Sequence, residues 1–255
     1  MADEPIIQVR YLTVGYGDVI VLQDVSFDVR TGEILSILGG SGSGKSTLLK
    51  HMIGLRTPRQ GRVVIDGTDL VTVQGAERLE LLKKIGVAYQ SGALFGSMSV
   101  LANVSLPLQE FTDLPDEAIE MIAGTKLKAV GLEGAAYKMP AELSGGMRKR
   151  AAIARALVMD PKILFLDEPS AGLDPITSAQ LDELILDLAR NLGITFVIVT
   201  HELPSIFVVA DRVIMVDKEH RTIIAEGTPQ ELRDTSENPF VRQFFNRQVS
   251  QVASE

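Results

Sequence analysis

The sequence predicts an α/β fold interrupted by a helical insertion, and three observations carry that prediction. Apolar runs at residues 34–38, 163–166 and 194–199 read as strands buried on both faces, with helical patterns between them. From residue 91 to about residue 161 strand-like runs vanish and helical periodicity takes over. Between the first apolar run and its helix stands Gly39-Gly-Ser-Gly-Ser-Gly-Lys-Ser46, which fits G-x-x-x-x-G-K-[ST].

The rest of the chain is organised around that loop. Gly39, Gly40, Gly42 and Gly44, with Ser41 and Ser43 among them, let the backbone curl until its N–H groups converge on an anion. The helix that opens at Lys45 adds roughly half a positive charge at its N-terminus. Lys45 would reach the β- and γ-phosphates, and Ser46, followed by Thr47, would place its hydroxyl on Mg²⁺. The chain is therefore expected to bind a nucleoside triphosphate.

Upstream, residues 6–14 and 25–30 alternate as β-strands, with Val25, Phe27 and Val29 on one face, and Gly15-Tyr-Gly17 reads as a turn. Tyr16 is either a packed turn aromatic or a ring available to stack on a base, and composition alone favours the first. Downstream, the first helix should stop at Gly54. Residues 61–67 read as a strand, 79–84 as helix and 85–89 as a short strand ending at Gln90, a position that usually serves loop solvation. Ser99 can cap a helix from Val100. Ile119, Ile122, Ala123, Leu127 and Val130 then keep a 3.6-residue period between Pro115 and Gly131.

Leu143-Ser-Gly-Gly-Met147 opens a helix expected to reach Met159. Ser144 is its N-cap, and Gly145 and Gly146 leave the first amides uncovered. That makes either a second anion site or a glycine-softened helix start. Arg148, Lys149, Arg150 and Arg155 read as solvated surface.

Residues 162–169 form an apolar strand ending in Asp167-Glu168. Two carboxylates at the C-terminal end of a buried parallel strand stand where open α/β sheets hold ligands. Strand alternation should face them apart, Asp167 suiting the Mg²⁺ shell and Glu168 the holding and deprotonation of water. Asp174-Pro175 caps a helix with Leu181, Leu184, Ile185, Leu188 and Leu192 on one face, ended by Gly193. His201 follows a buried strand at 194–200, beside the carboxylates, and that position favours function over structure. Residues 213–217 and 222–225 read as a hairpin, and Thr228-Pro-Gln-Glu231 as a capping box. In the tail, Phe240, Val241, Phe244 and Phe245 are expected on one face of a helix behind Pro239. So apolar a stripe needs cover, either from its own chain or from a partner.

Composition bounds the remaining possibilities. At 255 residues the chain is one large domain, or one with an inserted subdomain. It has no cysteine, which excludes disulfides, thiolate metal sites and cysteine catalysis. A net charge of −8 argues against non-specific nucleic-acid binding. No apolar run approaches the ~20 residues of a membrane span. The opening Met-Ala-Asp-Glu-Pro lacks the basic and apolar regions of a signal peptide, so any membrane crossing is expected from another chain.

In this order the phosphate loop, Gln90, Leu143-Ser-Gly-Gly146, Ile163-Leu-Phe-Leu-Asp-Glu168, Ser170-Ala-Gly-Leu-Asp174 and His201 resemble the ATP-binding subunit of ABC transporters over about residues 6–235. The resemblance implies a P-loop NTPase of ABC type, with a mixed central sheet, an N-terminal antiparallel β subdomain and an inserted helical subdomain. It implies an ATP-binding core at 1–90 and 161–235, a helical and signature subdomain at 91–160, and a C-terminal tail helix at 236–255. By it Tyr16 stacks on adenine, and Gln90 contacts Mg²⁺ together with Ser46 and Asp167 and relays nucleotide state to a membrane subunit. Glu168 is the base, and His201 steadies the γ-phosphate. The Ser144-Gly145-Gly146 helix start grips ATP held by a second copy in a head-to-tail dimer.

Met147 stands where most relatives have Gln, and Gly40 replaces a bulkier residue. These features, with Gln90-Ser-Gly-Ala-Leu-Phe95 and Ser144-Gly-Gly-Met-Arg-Lys-Arg150, are similar to the ATPases of Mla-type phospholipid transporters. Those work with an integral membrane permease and MCE-domain lipid-binding proteins. The implied protein is a peripheral ATPase on the cytoplasmic face of the inner membrane, using ATP and Mg²⁺ and no nucleic acid. An ABC ATPase for another cargo, such as amino acids, or a soluble cofactor-assembly ABC ATPase would share its catalytic residues.

Overall fold

A computed structural model describes residues 5–247. The chain opens with two long strands, β1 (Ile7–Tyr16) and β2 (Val19–Val29), whose side chains Ile7, Val9, Val25, Phe27 and Val29 are buried. They pair antiparallel as far as Tyr16 and Val19, so Gly15 and Tyr16 belong to the ladder and the turn falls on Gly17-Asp18. The expected turn at 15–17 is thus displaced. Gly15 serves close strand approach instead, since a Cβ there would lie 1.9 Å from the Val19 carbonyl oxygen.

Next come β3 (Ile34–Leu38), α1 (Lys45–Met52), β4 (Gln60–Ile65), the short β5 (Thr68–Asp69), α2 (Gly75–Lys83) and β6 (Ile85–Ala88). β4 joins the free side of β1, giving an antiparallel sheet in the order β2-β1-β4-β5. Helices α3 (Val100–Phe111), α4 (Asp116–Ala129) and α5 (Gly145–Leu157) follow with no described strand among them. Ser99 Oγ accepts from the Ala102 amide at 3.1 Å and starts α3. Val104, Leu108, Ile119, Ala123, Leu127 and Ile153 share the core between these helices. α5 stops at Leu157, two residues short of Met159, because Asp160 turns left-handed ahead of Pro161.

The chain then alternates through β7 (Ile163–Asp167), α6 (Pro175–Leu192), β8 (Thr195–Val199), α7 (Leu203–Val209), β9 (Arg212–Val216) and β10 (Ile223–Gly227). The second sheet runs β10-β9-β3-β8-β7-β6, parallel except for the β9–β10 hairpin. Leu164, Leu166, Phe196 and Ile198 pack with the helical side, while Ile163, Phe165, Val197 and Val199 pack with the antiparallel sheet. Cover on both faces is why these strands are unbroken apolar runs, and each such side chain contributes roughly 1.5–3 kcal/mol. Leu192 departs from its expected stripe at 53% exposed. α6 is about a turn longer than the surface it packs on, so burial ends at Leu188.

The described chain closes with α8 (Pro229–Asp234), capped reciprocally by Thr228 and Glu231, and α9 (Pro239–Phe245). The expected single stripe on this tail divides. Val241 and Phe245, four residues apart, are buried with Leu203, Phe207 and Leu232, whereas Phe240 is 46% exposed. A step of about 100° per helical residue turns Phe240 away from Val241. α9 therefore folds back on its own chain, with Phe207 and Phe245 edge-to-face at 6.0 Å and Asn246 donating to the Arg233 carbonyl at 3.2 Å. The expected continuation of the tail helix over 248–255 lies outside the described residues. Among the described residues, no helix is long and apolar enough to cross a membrane.

Candidate active site

Strands β3, β8 and β7 are parallel neighbours, so their C-terminal ends open on one edge of the sheet. That edge receives the glycine loop from β3, Asp167 and Glu168 from β7, and Thr200 and His201 from β8.

The loop's form follows from its glycines. Gly44, the N-cap of α1, has φ 100°, and a Cβ there would lie 2.7 Å from Val21 Cγ1. Lys45 is 8% exposed and donates to the carbonyls of Gly39 (2.8 Å) and Gly40 (3.1 Å). Burial lowers its pKa, while the charges of Glu168 and Asp167 act to raise it. Ser46 Oγ donates to Asp167 Oδ1 at 3.2 Å. Burial raises the Asp167 carboxyl above the usual carboxylate range; the Ser46 hydrogen bond opposes this and the Glu168 charge adds to it.

Glu168 does not continue the strand. It has φ 49°, just past the end of β7, so Asp167 and Glu168 do meet different partners, Ser46 and His201, but not through the expected strand alternation. Alternation requires extended backbone. The left-handed turn instead brings the Glu168 carboxylate to His201, whose Nδ1 lies 2.9 Å from Oε1 and 2.8 Å from Oε2. The Glu168 peptide is held at both ends: its N–H donates to the Val199 carbonyl at 2.8 Å, and its C=O accepts from Lys149 Nζ at 2.9 Å.

A cleft of about 830 Å³, within the range of small-ligand sites, joins Tyr16, residues 39–47, Gln90, Glu168, His201 and Phe244. Tyr16 is both packed and available. Its hydroxyl meets Thr47 Oγ1 at 2.9 Å and the Arg56 guanidinium lies 4.4 Å over its ring, yet the residue is 37% exposed. Asp167 reaches the cleft through Ser46. Ser144, Gly145 and Gly146 are not among its walls. Ser144 Oγ accepts from the Met147 amide at 3.2 Å, and Ser144 itself is exposed. A Cβ on Gly146 would meet Thr177 Cγ2 at 2.4 Å, so the second glycine lets α5 approach α6.

Lys149, Arg150 and Arg155 on α5 overturn their reading as solvated surface, whereas Arg148 is exposed as expected. Lys149 is 9% exposed and donates to the carbonyl oxygens of Gln90 (2.5 Å) and Glu168 (2.9 Å). Arg155 donates to Ala93 (2.8 Å) and Gly92 (3.0 Å), Arg150 to Val130 (3.1 Å) and Gln180 (3.2 Å), and Arg148 to Leu143 (2.9 Å), all at carbonyls. α5 is packed from several sides, and strand-end carbonyls need donors. Period alone could have found Lys149, since Ala152 and Ile153 follow it at i+3 and i+4 on the buried face. No comparable signal points to Phe244, which reaches the cleft only through the fold-back of α9.

Comparison with known proteins follows the same outline. Residues 22–171 match the family model described as ABC transporter. The chain is 43% identical over 240 residues to "Probable ribonucleotide transport ATP-binding protein mkl" of Mycobacterium leprae, covering 94% of this chain and 68% of that one. It spans about two thirds of the length of such mycobacterial relatives. It is 39% identical over 242 residues to the intermembrane phospholipid transport system ATP-binding protein MlaF of Escherichia coli, covering 94% and 88% of the two chains. Among solved structures, cbiO1 from Clostridium perfringens, part of an ABC transporter complex, aligns with a TM-score of 0.80 at 34% identity over 89% of this chain and 90% of that one. A dimeric ATP-binding cassette in a post-hydrolysis state with ADP and Pi aligns at 0.78 and 32% identity, over 87% and 98%.

Proposed function

The chain belongs to the ABC transporter family, and from that premise we propose that it hydrolyses ATP to power phospholipid transport with an integral membrane permease. The observation that carries the chemistry is the meeting of phosphate loop, Asp167, Glu168 and His201 on one sheet edge.

Loop amides and Lys45 bind the β- and γ-phosphates, Lys45 exchanging the Gly39 and Gly40 carbonyls for phosphate oxygens. Tyr16, backed by Arg56, offers its ring to the adenine. The Ser46 hydroxyl and Asp167 carboxylate, with the Gln90 amide at the cleft, are hard oxygen donors that fit Mg²⁺, which takes one or two carboxylates plus phosphates rather than a full protein cage. Bound there, the ion neutralises charge on the transferring phosphoryl group. Glu168 takes the proton of the attacking water, and His201, whose Nδ1 meets that carboxylate at 2.9 Å, steadies the γ-phosphate. The helix start at Ser144, which lines no part of its own cleft, would grip the γ-phosphate of a second copy, in a head-to-tail dimer.

An apolar groove lined by Leu79, Leu82, Pro107, Phe111 and Met159 runs between α2, α3 and α5, and Arg155 on its wall holds the loop after Gln90. A permease segment seated there would feel the nucleotide through Gln90. The protein would then be peripheral on the cytoplasmic face of the inner membrane, in an assembly with an MCE-domain protein.

Phospholipid is favoured as cargo by Met147, Gly40 and the motifs around Gln90 and Ser144, and by MlaF relatives matched over 86% and 88% of their length. The mkl name points to ribonucleotides instead. The chain purified with its membrane partners and reconstituted into phospholipid vesicles should show ATPase activity that responds to phospholipid, and should move labelled lipid. A response to ribonucleotides or amino acids, with indifference to lipid, would transfer the assignment to another cargo.

A further inference from the structure

We propose that Lys149 is a positioning residue, whose ammonium fixes the helix opening at Ser144 to the two strand ends that carry Gln90 and Glu168. One side chain on α5 holds two carbonyls that are 59 and 19 residues away in sequence, at 2.5 and 2.9 Å. Both acceptors sit where the backbone has just left a parallel strand, Gln90 after β6 and Glu168 after β7. Such carbonyls have lost their ladder partners and need donors.

The Glu168 contact has the sharper consequence. A left-handed backbone at a residue other than glycine persists when its surroundings over-determine it. Here the Val199 carbonyl takes the Glu168 N–H and Lys149 takes its C=O, so the conformation that aims the carboxylate at His201 is clamped from both sides. Burial lowers the pKa of this ammonium, and the charges of Glu168 and Asp167 oppose that shift. A neutral side chain of equal length would fill the space and hold neither carbonyl.

Lys149 lies five residues beyond Ser144 on the same rigid helix. Any movement of the helix start on a second copy's nucleotide is therefore passed, through this amine, to the Glu168 peptide and the Gln90 loop. Signature engagement and placement of the base are linked within one chain.

The inference rests on Glu168 being the base, and the test separates the two. Steady-state ATP hydrolysis, nucleotide binding and thermal unfolding are measured on the full chain for Lys149→Met, Lys149→Arg, Glu168→Gln and the double variant Lys149→Met with Glu168→Gln. Lys149→Met should lose roughly tenfold or more in kcat with KM for MgATP within about threefold, because the loss falls on orientation rather than ground-state binding. Lys149→Arg, which keeps charge and donors, should recover to within about threefold of wild type. The double variant should be no slower than Glu168→Gln, since both changes act at one group. Wild-type kcat in Lys149→Met overturns the proposal. So does a joint fall in kcat, nucleotide affinity and melting temperature that arginine does not rescue. If Lys149→Met does not fold, Lys149→Leu, which also lacks a donor, is held to the same criteria. Near-normal hydrolysis by Glu168→Gln would instead remove the base assignment itself.

Discussion

At the scale of single residues, the proposed chemistry turns on a carboxylate whose direction is set by its backbone. Asp167-Glu168 at the end of an apolar strand was legible as a site because nothing solvated calls for two acids there. The way they part was not, because one left-handed residue ends the alternation on which such a reading depends. Lys149 was misread by residue type, although its helical period places it on the buried face with Ala152 and Ile153; which carbonyls its amine meets was not legible. Glu168→Gln should keep ATP binding and cut turnover by ~10²-fold or more, the usual scale for a positioned acid–base group. His201→Ala should also slow turnover at little expense in stability, since the His201 side chain is 55% exposed and its recorded partners are the carboxylates of Glu168 and Glu202. Phosphate release and nucleotide binding on purified protein check both; near-normal turnover in Glu168→Gln would remove it as the base.

At the scale of elements, caps and apolar periods were readable because they are local. Ser99, Ser144, Asp174 and Thr228 each accept the helix-start amide that their position implied. The displaced turn after β1 and the divided face of α9 depended on partners distant in sequence. Asp66 is a further case: at the end of β4, its Oδ2 receives Lys84 Nζ at 2.7 Å and Lys162 Nζ at 2.9 Å, tying the antiparallel sheet to the starts of β6 and β7. The Lys84 hydrogen bond, then that of Lys162, holds the Asp66 carboxyl below its ordinary value of 3.8. A carboxyl depressed on folding contributes stability above its unfolded pKa and loses it as pH falls through the lower folded value. Both lysines are partly solvated, so the contribution is about 0.5–1 kcal/mol after screening. Asp66→Asn should therefore lower the melting temperature by about 1–3 °C at neutral pH. The gap should close as the medium is acidified through about pH 4 and below, where the wild-type carboxylate is itself protonated. Thermal unfolding of both proteins at the two pH values decides it; a gap that persists in acid would show that Asp66 acts through packing or its neutral hydrogen bonds.

At the scale of the molecule, one sheet edge gathers the phosphate loop with Asp167, Glu168 and His201 from more than a hundred residues downstream, and their order along the chain was enough to suggest it. The place of the Ser144 helix start relative to that edge was not readable, because sequence says which groups seek an anion and not whose anion they seek. In the fold Ser144, the N-cap of α5, is exposed, and Ser144, Gly145 and Gly146 line no part of the cleft holding residues 39–47. Two anion-seeking elements on different surfaces of one chain are both used if a second copy turns its α5 start onto the first copy's cleft, a two-fold contact in which each surface meets the other's counterpart. Lys45→Ala and Ser144→Arg chains would then each form homodimers with both sites damaged. In a mixed dimer both changes fall in one site, and the other is built from an intact loop and an intact helix start. Equal mixing makes half the dimers mixed, each with one sound site of two, so activity should return to roughly a quarter of wild type if sites act independently. Because coupled sites could mute turnover, ATP occluded between crosslinked copies is counted as well, at one per mixed dimer against none in either parent. Mixed dimers that form by crosslinking yet retain no ATP, or wild-type protein that hydrolyses ATP as a monomer, would show that each cleft is completed within its own chain.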